Sequence, residues 1–280
     1  MYFLLNFVIW IRKNLIRVIV GQYPNYKLKS NHFEKGPDKK LINIISSTDN
    51  FWVSKMMFNK WNNYRQRKDI NLSIYSNENV NDFMYKYFQD ELIYELFKRS
   101  VIPVQKMDIF RICFVYKYGG IWLDLKSEIN IDKAIYFYEK SNSKGLLLVE
   151  PRKIEVIKQK DGKIVKSFEK VIHNGFFFLP KESIFLKHLI EKLEKDFLYF
   201  QDVDLTNPKQ AIMNLTGPHQ FTRQYHQINN DERPLLITHQ EIGWEYCSKY
   251  GEFISPFIVK KHYSLIKNQK TIDSKKITFL

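Results

Sequence analysis

Four residues set the first question about chemistry. In KMDIFRICFVYKYGGIWLDLKSEI, residues 106–129, Asp108 and Arg111 stand three apart near the start of a helical stretch. Asp124 and Lys126 follow a short apolar run. Positions i and i+3 share a helix face, so Asp108 and Arg111 allow two readings. One is a surface ion pair, worth under about 1 kcal/mol. The other is a carboxylate accepting from ribose hydroxyls beside a guanidinium that grips phosphate. Spacing alone does not separate them. Asp124 comes at or just past the end of a predicted strand, Ile121–Leu123. In open α/β sheets ligands bind at the carboxyl ends of strands, so a carboxylate there is in position to act.

The elements needed to hold these residues are legible around them. Ile109, Ile112, Cys113 and Tyr116 form an apolar stripe that predicts a helix over Gln105–Tyr118, thickened by Phe110 and Phe114. Gly119-Gly120 stops it, because glycine accepts a left-handed cap at low cost. Upstream, Leu41–Ile45 reads as a buried strand delivering Ser46-Ser47-Thr48, Phe51–Tyr64 as a helix, Leu72–Tyr75 as a strand, and Val80–Phe97 as helical. Downstream, Leu146–Glu150 reads as a strand and residues 154–168 as a hairpin about Asp161-Gly162. Val171–Leu179 is a strand interrupted at His173-Asn174-Gly175, and Glu182–Tyr199 is an amphipathic helix with Phe185, Leu189, Leu193 and Phe197 on one face. Pro208–Leu215, a turn at Thr216-Gly217-Pro218 and a further helix complete the predicted order. Alternating short strands and helices argue for an α/β layer with a largely parallel sheet.

The stretch 105–128 resembles the motif of glycosyltransferase family 32 and is similar to the glucosyltransferase domains of large clostridial toxins. The shared pattern is an Asp, two residues, an Arg, an apolar helix, Gly-Gly, an aromatic residue and an Asp-x-Asp pair. Asp108, Arg111, Gly119, Gly120, Trp122 and Asp124 match it position by position. The resemblance implies a GT-A-like, Rossmann-type mixed sheet flanked by helices in a single domain over 41–265. It also implies a nucleotide-sugar donor (UDP- or GDP-sugar), a hexose transferred with retention, and a front-face mechanism in which the leaving phosphate helps deprotonate the acceptor. Donor binding falls on Asp108, Arg111, Trp122, Asp124 and Asn174, the last in VIHNGFFF. Leu215-Thr216-Gly217-Pro218 resembles an acceptor-side turn, and His262 with Ser264 a loop closing over the diphosphate; an ordinary Gly-Pro turn and a lone surface histidine are the plainer readings.

One position departs from that pattern. The motif ends in Asp, whereas this chain reads Asp124-Leu125-Lys126. The second Asp normally holds Mn²⁺ or Mg²⁺ against the diphosphate, and an ammonium does not ligate a cation. Three outcomes stay open: Lys126 itself neutralises the diphosphate; Asp124 holds the metal with Glu128 or a distant carboxylate; or the site is inactive. Asp124 and Lys126 are the expected catalytic pair.

Composition narrows the classes. Across 280 residues, 44 Lys+Arg oppose 30 Asp+Glu for a net charge of +14, while 44% of residues are hydrophobic, which excludes a disordered polycation. Only nine of the basic residues are arginines, there is no Cys/His finger and no dense basic helix, so nucleic acid is not an expected partner. Cys113 and Cys247 are too few for a disulfide framework, and a reducing compartment is expected. Residues 1–20, MYFLLNFVIWIRKNLIRVIV, are too interrupted by Arg12, Lys13 and Arg17 to span a bilayer and read either as an interfacial helix or as a helix packed on the domain. Residues 266–280 read as a basic tail that either adds attraction to anionic lipid or is simply solvated. The expected partners are a nucleotide-sugar donor, a glycan or lipid-linked acceptor and an anionic membrane surface, at the cytoplasmic inner face, in surface polysaccharide synthesis. The rivals are an effector-like protein glycosyltransferase and a non-catalytic polyanion-binding protein on a transferase fold.

Overall fold

The structure is a computed structural model that describes residues 26–28, 42–47, 52–53, 55–150, 157–158, 164–165, 170–205, 207–246 and 269–273. The expected N-terminal helix (1–20), Cys247, His262 and Ser264 lie outside the described residues, as does the turn expected at Asp161-Gly162. On either side of that turn, Ile157–Lys158 and Ile164–Val165 pair antiparallel.

Six strands form the central sheet: β1 (Ile42–Ser47), β2 (Ile70–Tyr75), β3 (Gly120–Leu123), β4 (Leu146–Glu150), β5 (Val171–Leu179) and β6 (Leu235–Thr238). Their order is β6-β4-β5-β3-β1-β2. β1 runs parallel to both β2 and β3, and β4 parallel to β6, but β5 is antiparallel to both β3 and β4. The sheet is therefore mixed, as expected of a GT-A-like domain, and less parallel than strand–helix alternation suggests. The reversal at β5 matters for function, because it brings the first half of that strand to the carboxyl end of β3.

Alternation along β3 divides the core. Trp122 points into one apolar layer with Phe110, Phe114, Phe177 and Leu189, while Ile121 and Leu123 point into the other with Trp61, Ile44, Ile74 and Phe176. The first layer is covered by α2 (Asn77–Phe88), α3 (Leu92–Arg99), α4 (Pro103–Tyr118), α6 (Ile184–Phe200) and α8 (Pro218–Gln227); the second by α1 (Lys55–Gln66) and α5 (Ile131–Lys140). Helix α7 (Pro208–Leu215) packs on α8. The stretch expected as one helix over Val80–Phe97 is two, α2 and α3, separated at Gln89–Glu91.

Helix α4 differs from its expected amphipathic form. Asp108 through Val115 are all buried, so the apolar stripe is only part of its packed surface. Pro103 starts it, and Gly119 and Gly120 end it at φ +70 and +112. Both glycines also meet backbone closely: a Cβ on Gly119 would lie 2.6 Å from the Lys181 nitrogen, and one on Gly120 2.6 Å from the Asn43 oxygen. Conformation and space both demand glycine there. Residues 269–273, in the stretch read as a basic tail, pack on the domain. Gln269–Lys270 pairs with Asp204–Leu205, and Ile272 is fully buried against Ser100 and Gln201.

Candidate active site

The end of β3 carries the site. Because β5 is antiparallel to β3, with Phe176 opposite Leu123, the next residue on each strand also meets. Asp124 donates its N–H to the Gly175 carbonyl at 2.8 Å. The ladder between β5 and β4 is broken here: His173 pairs with Leu148 and Phe177 with Leu147, which pushes residues 174–176 out as a bulge. The interruption expected at His173-Asn174-Gly175 is this bulge, and it turns Asn174 toward α4.

From α4, one turn apart, come Asp108 and Arg111. They form an ion pair at 3.0 Å, with both side chains less than a tenth exposed. The surface-pair reading is thereby excluded. Arg111 Nη1 lies 3.3 Å from Asp124 and donates to the Asn174 carbonyl at 2.7 Å. Its Nε donates to the Met107 carbonyl at 3.4 Å, and the guanidinium sits 5.1 Å from the centre of the Trp122 ring. These contacts on three sides fix Arg111 within the protein and orient Asp124. Trp122 is itself buried, and its indole N–H donates to the Asp124 carboxylate at 2.9 Å. Asp124, held by Arg111 and Trp122, remains about 40% exposed and presents its free edge outward.

Asp108 is the most enclosed of the three charged groups. It accepts from the Asn174 amide at 3.2 Å and from the Thr216 hydroxyl at 3.0 Å in addition to Arg111. Complete burial nonetheless pushes its carboxyl up to about 6, with Arg111, Thr216 and Asn174 pulling it down and the Asp124 charge adding to the rise. Removal from water outweighs one buried cation and two hydrogen bonds. Thr216 thus reaches Asp108 from the end of α7; sequence placed it in a turn and gave no sign of this contact.

The motif's second half is pinned from α1. The Trp61 indole donates to the Leu125 carbonyl at 2.8 Å. The Tyr64 hydroxyl bonds the Ile129 carbonyl and accepts the Ile129 N–H, both at 2.9 Å. Lys60 pairs with Glu128. Lys126, between them, is exposed in the turn that the Ser127 N–H closes on the Asp124 carbonyl at 2.8 Å. A divalent metal fits this donor set poorly. Glu128 already has Lys60 as its partner, Lys126 occupies the place of the motif's second carboxylate, and among the described residues no three His, Cys, Asp or Glu side chains converge to hold a metal ion.

Residues 27–130 match the family model described as "Glycosyltransferase sugar-binding region containing DXD motif", which spans α4, β3 and the turn after it. The match supports glycosyltransferase activity. Among solved structures the chain is similar to the PaToxG glycosyltransferase, at 16% identity over 69% of this chain and 70% of that one, with a TM-score of 0.41. It is also similar to the catalytic domain of alpha-toxin from Clostridium novyi, at 12% identity over 72% and 75% of the two chains, with a TM-score of 0.35. No curated protein matches the sequence. Among the described residues no helix is long and apolar enough to cross a membrane.

Proposed function

We propose that this transferase is of the family 32 kind and moves a hexose, with retention, from a UDP- or GDP-sugar to a glycan or lipid-linked acceptor. The observation that carries the reading is the convergence of Asp108, Arg111 and Asp124, inside the matched region, with Asn174 of β5 at the carboxyl end of β3. Two carboxylates share one buried guanidinium there, so the cluster favours groups that donate hydrogen bonds, as sugar and ribose hydroxyls do. Asp124 is the residue offered to the donor. Arg111 and Trp122 hold its carboxylate in place, and Asp108 and Asn174 brace Arg111.

In the front-face step, the bond from the anomeric carbon to the diphosphate oxygen breaks while the acceptor oxygen bonds to the same face of that carbon. The acceptor proton passes to the departing phosphate. The leaving diphosphate gains charge, and its stabilisation is the main catalytic demand. Arg111 is committed to Asp108, Asp124 and the bulge, so among the described residues Lys126, exposed one residue beyond Leu125, is a cation available to meet it. Mn²⁺ or Mg²⁺ would instead rest on Asp124 with Glu128, after Glu128 leaves Lys60.

The deciding experiment is a screen of UDP- and GDP-sugars for donor hydrolysis and transfer, with and without EDTA. Turnover that survives EDTA assigns the role to Lys126; turnover abolished by EDTA and restored by Mn²⁺ returns it to a metal. Nucleotide-sugar binding with no turnover in either condition would support the other reading, a non-catalytic binding protein, which Lys126 in place of the motif's second Asp favours. The basic, aromatic residues 1–20 suit attachment to an anionic membrane, where a lipid-linked acceptor for surface polysaccharide would be presented.

A further inference from the structure

Helix α1 lies along the turn that carries Lys126. Lys60, Trp61 and Tyr64, on one side of that helix, reach Glu128, the Leu125 carbonyl and Ile129 in turn. The Ser127 N–H closes the turn on the Asp124 carbonyl, with Leu125 and Lys126 at its two central positions. Directly after it, Ser127–Glu128 pairs antiparallel with Glu245–Tyr246.

That pairing sets two carboxylates opposite each other, Glu128 and Glu245. Like charges facing across a ladder repel. Glu245 is exposed and screened by water, but the Glu128 side chain is only 19% exposed. Its counter-ion comes from α1, as Lys60. Lys126 is a second cation within reach, since two residues span at most about 7 Å of chain and its four-carbon stem is flexible. Yet Lys126 is exposed and, among the described residues, forms no ion pair. Lys60 holds the carboxylate that would otherwise attract it. The charge balance has a consequence for the diphosphate. A carboxylate with a divalent cation would bring one net positive charge to this turn. Lys126 beside the Lys60–Glu128 pair brings the same charge, and without Lys60 the three groups would reduce to a neutral pair.

We propose that Lys60 is a positioning residue: by neutralising Glu128 it keeps Lys126 available to the donor diphosphate. This rests on the role proposed above for Lys126. Lys60 acts through Lys126 and need not touch the substrate itself.

The readouts are the calorimetric Kd for UDP and for GDP, and kcat for hydrolysis of UDP-glucose and of GDP-mannose, all in EDTA. A free nucleoside diphosphate carries the full leaving-group charge, so its affinity reports on Lys126 without turnover. In Lys60→Met, Kd is expected to rise and kcat to fall about fivefold, the population shift that one surface ion pair commands. Lys60→Gln, which keeps a donor to Glu128 without the charge, moves both the same way and serves if Lys60→Met does not fold. In Lys60→Met/Glu128→Gln the competing carboxylate is gone, and both values are expected to return to those of the wild type; Lys60→Arg should keep them throughout. A packing defect at Lys60 would persist in the double variant, so the rescue separates positioning from a structural role. Unchanged Kd and kcat in folded Lys60→Met overturn the proposal, as does a loss that Glu128→Gln does not repair. So does a Lys60→Met enzyme that gains activity with Mn²⁺ through Glu128, because Lys60 would then be masking a metal ligand. Lys126→Met tests the underlying reading separately. If it binds nucleotide and turns over donor as the wild type does, or if the wild type does neither, that reading falls and this inference falls with it.

Discussion

Thr216→Val isolates the electrostatics of the site with little change of shape. The Thr216 side chain is fully buried and donates to Asp108 at 3.0 Å. Valine keeps the volume and removes the donor. In the wild type the raised Asp108 carboxyl means that the folded protein binds a proton more tightly than the unfolded chain between the usual carboxylate value of 3.8 and about 6. The favourable contribution of this group is therefore complete below pH 4 and is lost as pH rises through 6, about 3 kcal/mol in all. The Thr216 hydrogen bond limits that loss, because it is stronger to the ionised form. A hydrogen bond to a charged group contributes about 2 kcal/mol and one to a neutral acid about 0.7 kcal/mol. Thr216→Val should thus destabilise the fold by about 2 kcal/mol at pH 8 and about 0.7 kcal/mol at pH 5. The difference, about 1.3 kcal/mol, moves the Asp108 midpoint up by about one pH unit, from about 6 to roughly 7. Urea denaturation of both proteins at the two pH values measures it. Equal destabilisation at pH 5 and pH 8 would refute the reasoning, since the hydroxyl would then not be serving an ionised carboxylate.

Three further outcomes are expected. Asp124→Ala should abolish turnover while changing stability by less than about 1 kcal/mol, because the carboxylate is 40% exposed; circular dichroism and a donor-hydrolysis assay check this together. Donor affinity should improve as pH rises through about 6, when Asp108 ionises beside Arg111 and Asp124, and Asp108→Asn should flatten that limb of the kcat/KM profile. Removing residues 1–20 should move the protein from the membrane to the soluble fraction on sedimentation of expressing cells, if that segment is the anchor.

Local chemistry made much of the frame legible. The apolar run and Gly119-Gly120 determined where α4 stops and β3 begins, because cap conformation and burial are near-neighbour properties. The same stretch placed Asp108, Arg111 and Asp124 together as a motif. Elsewhere the local signal misled: Val80–Phe97 reads as one helix, but the chain breaks at Gln89–Glu91 so that α3 can pack separately on α4 and α6. The stripe on α4 reads as one apolar face, yet the helix is enclosed on all sides where it passes between the sheet and its neighbours.

What sequence could not contain is which distant residues complete the site. Asp108 and Thr216 are 108 positions apart, and Arg111 and the Asn174 carbonyl 63. The antiparallel entry of β5 beside β3 brings the Asn174 carbonyl to Arg111, and the end of α7 brings Thr216 to Asp108. The i,i+3 spacing of Asp108 and Arg111 is the same for a surface pair and a buried one, and burial decides the chemistry: in water the carboxyl would titrate normally, whereas here it rises to about 6. In the sequence His173 and Gly175 mark only an interruption of a strand; the bulge sets Gly175 against Asp124. The residue types at 108, 111, 124 and 126 came from the sequence; their solvent exposure and their partners came from the fold, because exclusion of water is a property of packed layers and not of a linear chain.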